Sequence, residues 1–280
     1  MYAPAVGVFV DAGWLLAAAG LLLLGSARRD ELACDYGSLV ETLSDHVDRH
    51  STGMRRLRTY WYDAAVGGVP NHDHNRIASF PYVTVRLGRL NRNRQQKGVD
   101  VLIYRDLMKL AQERAISRAY LVAGDEDLRQ GVVEAKELGV QVVLLGMPIE
   151  EGQNQSVRLV RECDEYIVLP SEVWSEHFRR RDPDEVPDHE EVAAARRIGE
   201  AFARRWAEQA TEAEVEKILE GFPHLPQQLD VELIVFAESE LALGSLRQRP
   251  DLKQEARGTF WFVLRAVADG GDAPSPEEPG

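Results

Sequence analysis

Twice in its first half the chain runs an apolar segment into a carboxylate and then at once into a helical pattern. The first case is Val6–Val10, which stops at Asp11 and leads into GWLLAAAGLLLL. The second is Tyr120–Ala123, followed by Gly124 and then Asp125, Glu126 and Asp127. An amphipathic stretch comes next, and a second apolar run, Val140–Leu145, closes the unit. Short β-rich runs alternating with segments of helical period specify a mostly parallel sheet with helices on both faces. The same alternation predicts further strands at Leu57–Tyr62, Tyr82–Leu87, Ala119–Ala123 and Glu165–Leu169, and helices at Leu15–Leu24, Tyr36–His50 and Val99–Arg114. Ligands of such sheets bind beyond the carboxyl ends of the strands. Asp11, Asp125 and Asp127 are therefore expected on one edge. Asp100, in KGVDVLIY, opens a helix able to lean over that edge.

Carboxylates gathered in one place repel unless a cation joins them. Hard oxygen donors with room for water suit Mg²⁺ or Mn²⁺. The competing explanation is helix capping, since an Asp after a strand often accepts from the first turn. Asp11 fits capping less well, because Gly13 and Trp14 open its helix. Asp106 lies six residues after Asp100. That is about 600° of helical rotation, so Asp106 is expected on another face as a salt-bridge residue. Glu126 is expected to face solvent, with a second metal site as its alternative.

The remaining chain divides by charge. Residues 1–170 carry 20 Lys+Arg against 22 Asp+Glu, net −2; residues 171–280 carry 13 against 24, net −11; the sum is the chain's −13. A polyanionic partner is thus compatible with the first part, where basic residues cluster at Arg55, Arg56 and Arg58 and again from Arg86 to Lys97. Taken alone, such clusters are equally a solvated face. Residues 171–189 read as a charged, proline-bearing linker with a short helix at Glu172–Arg179, residues 190–269 as a small all-helical domain, and residues 270–280 as a disordered tail. Cys34 and Cys163 form neither a disulfide framework nor a metal spacing, which suits a reducing, cytoplasmic setting. The apolar Val6–Gly25 contains Asp11 and follows no basic residue, so it is expected to fold as strand and helix and not to span a membrane.

Other motifs carry less. His72, Asp73 and His74 sit in a polar PNHDHN stretch and are expected to be a solvated loop. TYWYD (Thr59–Asp63) reads as a central strand. Phe260, Trp261 and Phe262 read equally as helical core or as a surface for a homodimer. Neither a G-x-G-x-x-G after the first strand nor a Walker loop is present, so no nucleotide cofactor is expected.

Taken together and in order, VFVDAGWLL, QQKGVDVLIYRDL, LVAGDEDLRQGVVEAKELGVQVVLLG and NQSVRLVRECDEYIVL resemble the NYN domain, of the PIN-like ribonuclease superfamily. The resemblance spans about residues 5–170. It implies a Rossmann-like α/β/α domain, here followed by the helical domain, and a metal-dependent endoribonuclease. Its acidic positions fall on Asp11, Asp100, Asp125 and Asp127, as catalytic and metal-binding residues. Two positions depart from the family pattern: Trp14 stands where Asn is common, and Ala123 where Ser is common. Lys97, Arg94 and Arg92 are the expected phosphate contacts for RNA, single-stranded or looped. The rival expectation is a catalytically inactive RNA- or protein-binding regulatory module on the same scaffold.

Overall fold

A computed structural model describes residues 4–65, 68–90, 96–148, 155–182, 189–222, 224–240, 246 and 249–268. The chain forms two compact units, one built from Met1–Asp63, Asp73–Gly88 and Gln96–Val186, the other drawing on Ala64–His72 and the chain from Pro187.

The first unit begins with β1 (Ala5–Asp11), α1 (Ala12–Leu24), β2 (Leu32–Cys34), α2 (Tyr36–His50), β3 (Arg55–Ala65) and α3 (His72–Ala78). It continues through β4 (Val83–Leu90), β5 (Gln96–Lys97), α4 (Val99–Gln112), β6 (Arg118–Val122) and α5 (Arg129–Glu137). It ends with β7 (Gln141–Gly146), α6 (Val157–Glu162), β8 (Glu165–Val168), α7 (Ser171–Ser175) and β9 (Phe178–Arg180). Among the described residues seven strands form one sheet in the order β5-β4-β3-β1-β6-β7-β8. The pairs β1–β3, β1–β6, β6–β7 and β7–β8 are all parallel. This is the expected mostly parallel α/β/α architecture.

Strand β1 lies at the centre and is buried along its whole length. Successive side chains of a strand point to opposite faces. Val6, Val8 and Val10 accordingly join Leu15, Leu39, Leu43, Val47 and Trp61 in one core. Phe9 turns to the other face and stacks on Tyr60 and Tyr62. Each fully buried Leu, Val or Phe here contributes roughly 1.5–3 kcal/mol through area removed from water.

Three local expectations differ from what is found, and a fourth is not tested. The PNHDHN stretch is not a solvated loop: α3 spans it, and His74 is 2% exposed. The segment expected as a linker holds α7 where a short helix was expected, but β9 follows it where no strand was expected. Trp174 and Phe178 are buried in the first unit's core, because β9 pairs antiparallel with β2. The expected dimer surface is mostly internal: Phe260 and Trp261 are fully buried in the helical unit, packed against Phe202 and Phe222. The expected disordered tail lies outside the described residues.

The second unit contains α8 (His189–Gln209), α9 (Glu212–Glu220), α10 (Gln227–Glu240) and α11 (Pro250–Ala268). Its apolar core gathers Ile198, Phe202, Leu229, Leu233, Phe260, Trp261 and Leu264, and Val69 belongs to it. Arg257 forms a forked ion pair with Asp230, both bonds 2.6 Å, tying α11 to α10. Among the described residues no helix is long and apolar enough to cross a membrane.

Candidate metal centre

The C-terminal ends of β1 and β6 meet because the two strands pair in register, Val10 opposite Val122. Asp11 is the last residue of β1 and caps α1, its Oδ1 accepting from the Trp14 backbone N–H at 3.1 Å. Asp125 follows β6 and caps a single turn of 3-10 helix, Glu126–Leu128, its Oδ1 accepting from the Asp127 N–H at 3.0 Å. Capping is thus real at both positions. It engages one oxygen of each carboxylate, so it does not exclude a second role.

Asp100 arrives from another direction. It sits in the first turn of α4, directly after Gly98, whose φ of +81° is a left-handed conformation that glycine adopts without strain. One ligand oxygen from each of Asp100, Asp125 and Asp127 lies within 4.8 Å of the others. Asp100 is half-buried while Asp125 and Asp127 are exposed, so the cluster opens to solvent on one side.

The electrostatics register the crowding. Asp11 is 5% exposed, and burial pushes its carboxyl up to about 7. The negative charge of Asp100 adds to the rise, and the Trp14 N–H opposes it. Burial also raises Asp100, and the charges of Asp125 and Asp127 raise it further. A divalent cation bound to these oxygens would remove the repulsion. Three hard carboxylate donors with an open side match what Mg²⁺ or Mn²⁺ takes. Asp11 stands beside this trio, coupled to it through Asp100, and is not one of the three whose oxygens converge.

The loop carrying Asp125 is held from two sides. Gln155 Nε2 donates to the carbonyls of Ala123 (2.7 Å) and Leu145 (2.8 Å), joining the ends of β6 and β7. The Ser156 N–H donates to the Gly124 carbonyl at 2.9 Å. Trp14 then lies directly on Gly124: a Cβ added there would stand 2.0 Å from the indole Nε1. The departure from Asn at position 14 therefore places an indole ring on the residue before Asp125.

Two neighbours have other employment. Glu126 pairs with Arg158 at 2.7 Å. Asp106 accepts from Tyr62 Oη (3.2 Å) and Arg86 Nε (3.0 Å), on a different face from Asp100 as its spacing predicts. Of the expected phosphate contacts, Arg92 and Arg94 lie outside the described residues. Lys97 lies in β5, immediately before Gly98, and only its backbone is described.

Sequence reasoning missed Asp63. It lies in β3 beside Asp11, directly after Tyr62, the register partner of Asp11. It is fully buried, forks onto Arg29 at 2.7 and 2.5 Å, and meets His74 Nε2 at 2.9 Å. Burial favours its neutral form, but Arg29 and His74 outweigh burial and hold the carboxyl well below the usual range. The signal was available, because WYD also ends an apolar run in a carboxylate. Its partners were not, since Arg29 lies 34 residues away. Thiol chemistry has no support: burial raises both Cys34 and Cys163, the latter to about 12.

Comparison with known proteins agrees with this geometry. The family model described as the NYN domain matches residues 5–171, and that described as the RspA-like C-terminal domain matches residues 172–266. An uncharacterised protein of Sinorhizobium fredii, y4oD, is 48% identical over 92 residues. That match covers 33% of this chain and 42% of the relative, so the chain spans less than half of that protein's length. The chain belongs to the NYN domain family, on the PIN-like fold, with an RspA-like C-terminal domain behind the NYN domain.

Proposed function

We propose that the protein is a metal-dependent ribonuclease, cutting RNA endonucleolytically at the carboxylate edge of its sheet. The observation that carries this reading is the convergence of Asp100, Asp125 and Asp127, from two separate segments, within 4.8 Å in a NYN-family chain. These three residues, with Asp11, would hold Mg²⁺ or Mn²⁺. The chemistry such an ion supplies is acidification of a coordinated water and neutralisation of charge on the phosphate.

The chain's own part is positioning. Strands β1 and β6 fix Asp11 and Asp125 through rigid backbone, and the caps at Trp14 and Asp127 fix their rotamers. The open side of the trio leaves room for a phosphodiester approaching from solvent. An extended or looped strand fits such an edge better than a closed duplex. Lys97, Arg94 and Arg92 precede Asp100 and supply positive charge to draw and orient the RNA backbone.

The test is cleavage of a labelled single-stranded RNA with Mn²⁺, Mg²⁺ or EDTA, comparing wild type with Asp125→Asn and Asp11→Asn. The expected result is cleavage that needs the metal and falls by at least about 100-fold in both variants. A folded wild type that cuts none of several RNAs with either metal would overturn the nuclease reading. It would leave the binding module in its place.

A further inference from the structure

The trio is built by two helical segments, so its dimensions depend on how closely those segments approach. Asp100 is in the first turn of α4; Asp127 is in the 3-10 turn that runs straight into α5. One helical turn behind Asp100, at the i+4 position, is Tyr104. Four residues beyond Asp127 is Gly131, buried in the first turn of α5. These two second-tier residues touch. A Cβ added to Gly131 would meet Tyr104 Cδ2 at 3.0 Å, so the tyrosine ring lies on bare glycine backbone. The ring is also tethered at its far end. Tyr104 Oη donates to Glu134 Oε2 at 2.5 Å, and Gln130 Nε2 holds the other oxygen of Glu134 at 3.0 Å.

We propose that Tyr104 and Gly131 are positioning residues for the metal centre: the ring on the glycine is the spacer that sets the distance between α4 and α5. Through that distance it sets the separation of Asp100 from Asp127. This inference rests on the reading of the trio as a metal site. The physical argument is one of leverage. Both contact residues stand about one turn from the carboxylates they serve, along α4 for Asp100 and along the 3-10 turn that runs into α5 for Asp127. A spacer of ring thickness holds the two backbones apart by a fixed amount. A smaller residue at 104 lets the helices close. A methyl at 131 forces the ring outward against its tethered hydroxyl. Either change moves the oxygen donors by a few tenths of an ångström, and Mg²⁺ tolerates such displacement poorly.

Tyr104 is 37% exposed, so burying it contributes less than a core aromatic would. A purely structural role therefore predicts a small loss of stability and unchanged metal binding. The positioning role predicts the reverse emphasis. The measurement is Mn²⁺ affinity of the full chain by electron paramagnetic resonance, at a temperature well below unfolding, with circular dichroism to confirm the fold. Wild type, Gly131→Ala, Tyr104→Ala, Tyr104→Phe and the Gly131→Ala/Tyr104→Ala pair are compared. Val101→Ala, at an exposed site beside Asp100, is the control.

We expect Gly131→Ala and Tyr104→Ala each to weaken Mn²⁺ binding by about 5- to 20-fold, the range in which supporting residues act on metal sites. Tyr104→Phe keeps the ring on the glycine and retains affinity within about threefold. The double variant binds no more weakly than Tyr104→Ala, because the methyl then meets no ring. Val101→Ala binds as wild type. If wild type binds Mn²⁺ and Asp125→Asn does not, while Gly131→Ala and Tyr104→Ala bind as wild type, the spacer inference is overturned and the metal site stands. If wild type itself binds no Mn²⁺, the metal site falls and the inference with it.

Discussion

Removing one charge from the carboxylate edge should make the metal-free protein more stable, and the size of the effect follows from Asp11. Its carboxyl is pushed from 3.8 to about 7, chiefly by burial and then by the charge of Asp100. A raised folded value means that the folded state binds the proton more tightly than the unfolded chain does. Stability is therefore lost as pH rises from about 4 through 7, and the full penalty stands above that. At ~1.4 kcal/mol per unit the penalty is roughly 2 kcal/mol at pH 5 and about 4 kcal/mol at pH 8. Asp11→Asn removes the ionisation yet keeps an oxygen to accept from Trp14, and Asn caps about as well as Asp. In EDTA at pH 8 the variant's NYN-unit transition should rise by roughly 8–16 °C, at ~2–4 °C per kcal/mol. At pH 5 the gain should halve. Metal reverses the order of benefit: Mn²⁺ at 100 times its Kd adds about 2.7 kcal/mol to wild type and less to the variant. The assay is thermal unfolding followed by circular dichroism across pH 5–8, with and without metal. A variant less stable than wild type at pH 8 in EDTA, or a gap equal at both pH values, would refute the reasoning.

Two further outcomes are expected. Gly124→Ala drives a methyl to 2.0 Å from the Trp14 indole; overpacking of this kind costs ~1–3 kcal/mol in denaturant titration, and Trp14→Ala in the same chain should recover most of it. Asp63→Ala removes the buried partner of Arg29, whose side chain is 42% exposed, and of buried His74, and should cost about 1–3 kcal/mol at pH 7. Because the folded Asp63 carboxyl is depressed, its stabilisation is present above about pH 4 and lost as pH falls toward the folded value. The wild-type advantage over Asp63→Ala should therefore shrink in acid unfolding, and a constant advantage would contradict the ion-pair account.

The alternation of apolar runs and helical periods was enough to read β1, α2, β6 and β7 within a residue or so of their ends. Those elements are specified by local period, and the rule that ligands gather at strand ends then led to Asp11 and Asp125. Asp100 was reachable because Gly98 punctuates the chain just before it. What escaped depends on partners far off in sequence. The β2–β9 ribbon joins Leu32 to Arg180, and neither strand is long enough to show a period. His74 is polar in sequence and buried in space because Asp63, itself held by Arg29, receives it. The Tyr104–Gly131 contact leaves no local trace either, since a tyrosine on a helix reads as an ordinary half-exposed residue.

The central place of β1 bears on the order in which the protein is made. It leaves the ribosome before the strands that flank it, and β3 can pair one side of it early. Its other side waits for β6, Arg118–Val122, more than a hundred residues later. A chain interrupted before Arg118 therefore holds an apolar strand with one open edge, a liability for aggregation. It also lacks Asp125 and Asp127. Any nuclease capacity of this chain is thus withheld from the nascent polypeptide and appears only when the last-arriving neighbour of the first strand is in place.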